Sequence, residues 1–229
     1  VSVRFAERSD QIAGADLVIV PGTKSTIADL GWLRHSGMAS AVAAHAAAGG
    51  LLLGICGGCQ MLGRKILDPL RAESDVEASE GLGLLELDTF FEREKTTAQV
   101  LARVMEPCFL TRGVADAHVP AYEIHMGQAR ARPAVAVPFR IESRNGAAAS
   151  AADGAINAAG NVVGTLLHGL FEHEALRAGL IATLWERRGE PRPELGAALP
   201  SAADEYDRLA TVVRQHLDFD SLRRLARIA

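Results

Sequence analysis

Apolar positions along this chain come in short bursts separated by polar and glycine-rich punctuation. Val1 to Phe5 and Leu17 to Val20 are brief, rich in β-branched residues and flanked by polar or turn residues, the pattern of buried or edge strands. Between Trp32 and Ala48, Leu33, Met38 and Val42 recur at helical intervals in an Ala-rich background. Gly49-Gly50 then stop what reads as one crossover helix. Leu51 to Leu53 predicts the next strand, and Gly57 onward a helix carrying Met61 and Leu62. Strand, helix, strand, turn and helix in this order predict a doubly wound α/β sheet, whose strand ends gather sites at one edge.

After Gly81 the helical period fades. Leu84 to Leu87, Gln99 to Val104 and Phe139 to Ile141 read as strands of a mostly antiparallel part of the sheet, and Asn145 to Asn161 as a loose hairpin or surface loop. Helical spacing returns at Leu176 to Trp185, and Glu190-Pro191-Arg192-Pro193 breaks the chain. Ser201 to Ile228 is amphipathic, predicting one or two terminal helices. The expected division is a main domain over 1–190 and a helical extension over 191–229 packed on it.

Composition narrows the partners. The 229 residues are 48% hydrophobic, enough for a sizeable core, and 24 basic against 28 acidic side chains leave a net charge of -4. Neither a nucleic acid nor a membrane surface is favoured, and the apolar runs fall far short of the roughly 20 residues that span a bilayer. Three cysteines, an odd number, suit a reducing cytoplasm better than a disulfide framework. The start at Val-Ser-Val-Arg-Phe, without Met, suggests a piece of something longer.

Chemistry concentrates at Cys56. Gly54-Ile55-Cys56-Gly57-Gly58, between a predicted strand and helix, reads as a nucleophile elbow, with small residues permitting a sharp turn and a helix start favouring thiolate. The Gly57 amide would donate to an oxyanion. The competing reading is an inert buried cysteine; a redox or metal pair with Cys59 is weaker, because no second Cys or His pair accompanies it. Pro21-Gly22-Thr23-Lys24-Ser25-Thr26 superficially resembles a phosphate loop, but Thr23 precedes the Lys where Gly is needed. It reads equally as a turn bringing Gly22 to the oxyanion hole or as a plain turn capped by Ser25 or Thr26. For the base, His168 ends an apolar run and stands before Gly169. His125 competes with it, and strand alternation would put Glu123 and His125 on one face with Tyr122 and Ile124 on the other.

The stretches "PGTKSTIADLGWLRHSG", "GICGGCQMLG", "YEIHMG" and "GTLLHGLFEH", in this order, together resemble the glutamine amidotransferase domains of cobyric acid synthases, class I glutaminases of the cobalamin pathway. The terminal "EYDRLATVVRQHLDFDSLRRL" is similar as well. The resemblance implies a flavodoxin-like three-layer sandwich, with a mixed sheet and a parallel core. It further implies that Cys56 attacks the glutamine amide and that His168 passes a proton to the departing ammonia. Within the domain no cofactor is implied. ATP and Mg2+ would serve a preceding amidation domain, whose corrinoid substrate receives the ammonia. That domain and the first glutaminase strand would precede Val1. Leu170 stands where typical class I glutaminases carry a Glu, so Glu123 or Glu172 is the candidate orienter of the imidazole. Arg64, Glu80 and the segment Tyr122 to Gly127 are candidates for the glutamine α-groups. Two other readings are a cobyrinic acid a,c-diamide synthase type of glutaminase and a catalytically silent scaffold.

Overall fold

A computed structural model describes residues 1–114, 116–190 and 202–226. In chain order the elements are β1 (Leu17–Val20), α1 (Thr26–His35), α2 (Met38–Ala47), β2 (Leu51–Ile55), α3 (Gly57–Leu62), β3 (Lys65–Leu67), β4 (Ala78–Glu80), β5 (Leu87–Val104), β6 (His118–Ala131), β7 (Phe139–Arg144), β8 (Ala147–Asp153), β9 (Ala155–Ile156), β10 (Val162–Thr165), β11 (Leu167–His168), α4 (Glu174–Arg188), α5 (Ala202–His216) and α6 (Phe219–Ala226). The chain divides into two compact units, residues 1–191 and 192–229. In the second, α5 opens on Asp204 and Glu205 and carries Arg214 in its last turn, charges that complement the helix dipole. The break expected at Pro191 to Pro193 lies outside the described residues, as does the end of the terminal segment at Ile228.

Two sheets build the first unit. One has the order β1-β2-β10-β9, parallel across β1, β2 and β10 and antiparallel at β9. The seven-stranded sheet runs β11-β6-β5-β3-β4, with β7 and β8 branching from β5; only β3 and β5 pair in parallel. The fold is thus mixed α/β with a parallel core, as the pattern predicts. β2 is apolar at successive positions because both its faces are covered. Leu52 packs with Leu30, Leu33 and Val42 of α1 and α2, whereas Leu51 and Leu53 pack with Val100, Val104, Ile141 and Leu176 of β5, β7 and α4.

Four expectations change. Val1 to Phe5 forms no strand: β1 pairs only with β2 among the described strands, so no neighbouring strand receives this segment, and its side chains stay exposed. The single helix over 32–48 is two, because Gly37 adopts φ 74, a left-handed conformation that ends α1 and caps α2. Leu84 to Glu86 is not strand, since the amides of Leu84 and Leu85 bond to the Leu62 carbonyl and close the end of α3. The segment 145–161 is ordered hairpin and strand: β8 pairs with β7, and β9 with β10.

Candidate functional site

Cys56 stands between β2 and α3 with φ 52 and ψ -113, a region a side chain enters only under strain. Neighbouring glycines make that turn sterically feasible. A Cβ on Gly58 would lie 1.9 Å from the Val20 carbonyl oxygen, and one on Gly57 would meet Thr23 at 2.8 Å. The start of α3 is thereby pressed onto the end of β1 and onto the Pro21 to Thr26 turn. Ser25 makes no side-chain cap; Thr23 holds the turn instead, its hydroxyl donating to Asp29 and accepting from the Ser25 amide at 3.1 Å.

The opposite wall is β6 with β11, where Leu167 faces Glu123 and His168 faces Tyr122. The two rings of that last pair stack, with centroids 5.1 Å apart and planes 12° from parallel. Gly22 joins this wall to the elbow: a methyl group placed on it would touch both the Cys56 Cβ, at 3.2 Å, and the His168 Cε1, at 3.5 Å. Gly22, Gly57, Cys56, His168 and Tyr122 therefore gather at one place. A cavity of about 520 Å³, lined by Tyr122, Ile124, Gly169 and Glu172 among others, opens beside the stack.

Charge states follow from burial. The Cys56 thiol donates to the Ile124 carbonyl, 3.7 Å away. Burial pushes its pKa up, against the pull of the Gly57 amide; Asp153 adds to the rise and Lys95 opposes it. The thiolate expected at a helix start is therefore not the resting form, because the sulfur is desolvated. His168 is shifted the other way, mainly by burial and secondarily by the charge of His125, so it rests neutral. Its Nε2 is buried without a hydrogen-bond partner among the described residues. A neutral imidazole with a vacant nitrogen can take a proton, and an uncharged thiol needs such a base to become nucleophilic.

The competing histidine is engaged elsewhere. His125 contacts the Gly127 carbonyl through Nδ1 at 3.0 Å and Glu123 Oε1 through Nε2 at 3.3 Å. Both ring nitrogens thus face acceptors within its own strand. Glu123 also accepts two bonds from Arg144, at 2.6 and 3.0 Å. These partners outweigh its burial and hold its carboxyl down at about 2. Strand alternation thus places Glu123 and His125 together as expected, in a charged cluster under β6.

The other candidates lie apart from these contacts. Glu172 is exposed and has no hydrogen bond to His168, Arg64 is taken up by Glu86, and Glu80 by Lys65. Cys59 is fully buried, with its sulfur 2.7 Å from where a Cβ on Gly164 would lie, and it shares no disulfide with Cys56. Three further residues escape a reading of the sequence. Gln60 accepts from the Thr26 hydroxyl and donates to the Met126 carbonyl, both at 3.2 Å, tying α1, α3 and β6 together. Its spacing from Cys56, one helical turn on, is the available signal. Asp153 and Arg144 carry no such signal: Asp153 sits in what reads as loop, and Arg144 lies between that segment and the strand read at Phe139 to Ile141.

Residues 1–176 match the CobB/CobQ-like glutamine amidotransferase domain. The chain belongs to that family. Among its relatives, a cobyric acid synthase of Sorangium cellulosum (strain So ce56) is 51% identical over 98% of this chain and 45% of its own length. One from Syntrophobacter fumaroxidans is 40% identical over 98% of this chain and 44% of its own. The amidotransferase chain thus spans less than half the length of these relatives. Solved structures share its fold: a glutamine amidotransferase has a TM-score of 0.56 at 17% identity, covering 82% of this chain and 87% of that one. PurLQS from Thermotoga maritima gives 0.53 at 18%, covering 77% and 81%.

Proposed function

We propose that this amidotransferase domain hydrolyses glutamine at Cys56 and supplies the ammonia to a cobyric acid synthase reaction. Support comes chiefly from one observation: Gly22 is in reach of both the Cys56 Cβ and the ring of His168, whose Nε2 is free to accept a proton. His168 takes the thiol proton as the sulfur attacks the glutamine Cδ. The Gly57 amide, with Gly22 as its neighbour across the turn, donates to the oxyanion that forms. Collapse of the tetrahedral adduct breaks the C–N bond as His168 returns the proton to nitrogen, leaving a thioester and free ammonia. Water then attacks the thioester, His168 accepting its proton, and glutamate leaves with regeneration of the thiol.

The ammonia is consumed by ATP- and Mg2+-dependent amidation of peripheral carboxylates on adenosylcobyrinic acid a,c-diamide, in an amidation domain of the longer polypeptide. No step at Cys56 requires either cofactor. The test is amide synthesis by the intact polypeptide carrying Cys56→Ala: activity with ammonium chloride but not with glutamine is expected. Synthesis from glutamine at the wild-type rate would sink the assignment of the nucleophile.

A further inference from the structure

Between β10 and β11 the chain leaves one sheet for the other within a single residue, Leu166. A strand switch of this kind takes backbone groups out of their ladders, and buried ones must find other partners. Asp153, at the end of β8, supplies them. Its Oδ1 accepts the Leu166 amide at 3.0 Å and its Oδ2 the Thr165 hydroxyl, while the same hydroxyl oxygen accepts the Leu167 amide at 3.0 Å. The Thr165 carbonyl in turn accepts the Cys56 amide at 2.8 Å. One carboxylate thus holds a node that bears on the backbone of the elbow on one side and on the approach to His168 on the other.

We propose that Asp153 is a positioning residue for the glutaminase pair, setting where His168 stands relative to Cys56 by gathering the donors freed at the sheet switch. This rests on the reading of Cys56 and His168 given above. The site is closed around it. Asp153 is 3% exposed, and a Cβ on the next residue, Gly154, would lie 2.1 Å from the Gly164 carbonyl oxygen, so the end of β8 is pressed against β10. Charged and titratable groups face it from three elements and the elbow: Cys56, Cys59 of α3, Glu123 and His125 of β6, and Arg144 of β7. Neither His125 nor Arg144 bonds to it directly, and burial keeps its carboxyl protonated up to about 6. Above that value its charge opposes thiolate formation at Cys56. A buried bond of this kind could serve stability alone, and the two roles separate in experiment.

Glutaminase kcat and KM, and the pH profile of Cys56 alkylation by iodoacetamide, are measured on the intact amidotransferase with Asp153→Ala, Asp153→Asn and Thr165→Val. Asp153→Ala is expected to lower kcat about tenfold or more with KM changed by less than about threefold, the mark of a lost geometry and not of lost binding. Asp153→Asn, whose amide oxygen still accepts from Leu166, recovers kcat to within about threefold of wild type. Both aspartate variants move the alkylation midpoint of Cys56 to lower pH. Wild-type kcat in Asp153→Ala, failure of Asn to recover any of the loss, or an unmoved midpoint overturns the proposal. Should Asp153→Ala not fold, Thr165→Val decides: kcat about threefold down at constant KM supports the role, and unchanged kcat overturns it. Cys56→Ala is the control. Glutaminase activity surviving in it removes the underlying reading, whereas loss there with a neutral Asp153→Ala removes only this one.

Discussion

At the scale of single residues, burial sorts the cysteines and the histidines. Cys56 is strained at a turn, its Cβ 3.2 Å from where a Cβ on Gly22 would stand, whereas Cys59 is sealed in the core with its pKa driven well up. Brief iodoacetamide treatment should label Cys56 and spare Cys59, as read by peptide mass; a disulfide or metal joining the two would overturn that division. Cys56→Ala should lower glutaminase kcat by about a thousandfold or more, since the neighbouring thiol, Cys59, is sealed in the core. Glu123 makes a different prediction. Its folded pKa, about 2, lies below its ordinary value of 4.5, so its stabilising contribution is complete above 4.5 and is lost as pH falls toward 2. Glu123→Gln should flatten that acid limb in denaturation experiments. At neutral pH the same change should cost about 3 kcal/mol, because the buried His125 and half-exposed Arg144 lose their partner.

At the scale of elements, the site depends on how closely three backbones approach. The first turn of α3 has no room for a Cβ at Gly58, because β1 runs directly behind it. Gly58→Ala should therefore cost more than about 3 kcal/mol or prevent folding, as a steric conflict that no rotamer relieves. Gly31, inside α1, has open space where a methyl group would stand, with nothing within 4 Å of it. Gly31→Ala should raise stability by about 0.5–1 kcal/mol through helix propensity alone. Thermal denaturation of the pair distinguishes close backbone approach from glycine content. The β5–β6 hairpin is the other such element. Its alternation sends Glu123 and His125 inward and leaves Tyr122 and Ile124 half-exposed beside the cavity.

At the scale of the whole molecule, an apolar pattern with a period of two or of 3.6 carries the burial of each element on its own residues. For this reason the mixed α/β class, the strand before Cys56, the helix after it and the alternation across Tyr122 to His125 are legible in the sequence. The family resemblance of four ordered motifs is legible in the same way, because elbow and turn chemistry is local. Other features depend on partners far along the chain. The strand expected at Val1 to Phe5 has the right composition and no partner among the described strands. Whether Cys56 rests as thiol or thiolate is set by desolvation, which outweighs the pull of the Gly57 amide and is reinforced by Asp153. The surroundings of His125 and His168 are likewise set by folding: Glu123 and Gly127 occupy one ring, while the other stands near Gly22 with a nitrogen lacking a partner among the described residues. Asp153 was invisible in an Ala- and Gly-rich stretch without periodicity, since its role arises only where two sheets exchange a strand. The sequence by itself determined the fold class, most of the elements and the cysteine proposed as nucleophile; the tertiary structure decided protonation and partnership, because both are set by charges and burial that come together only on folding.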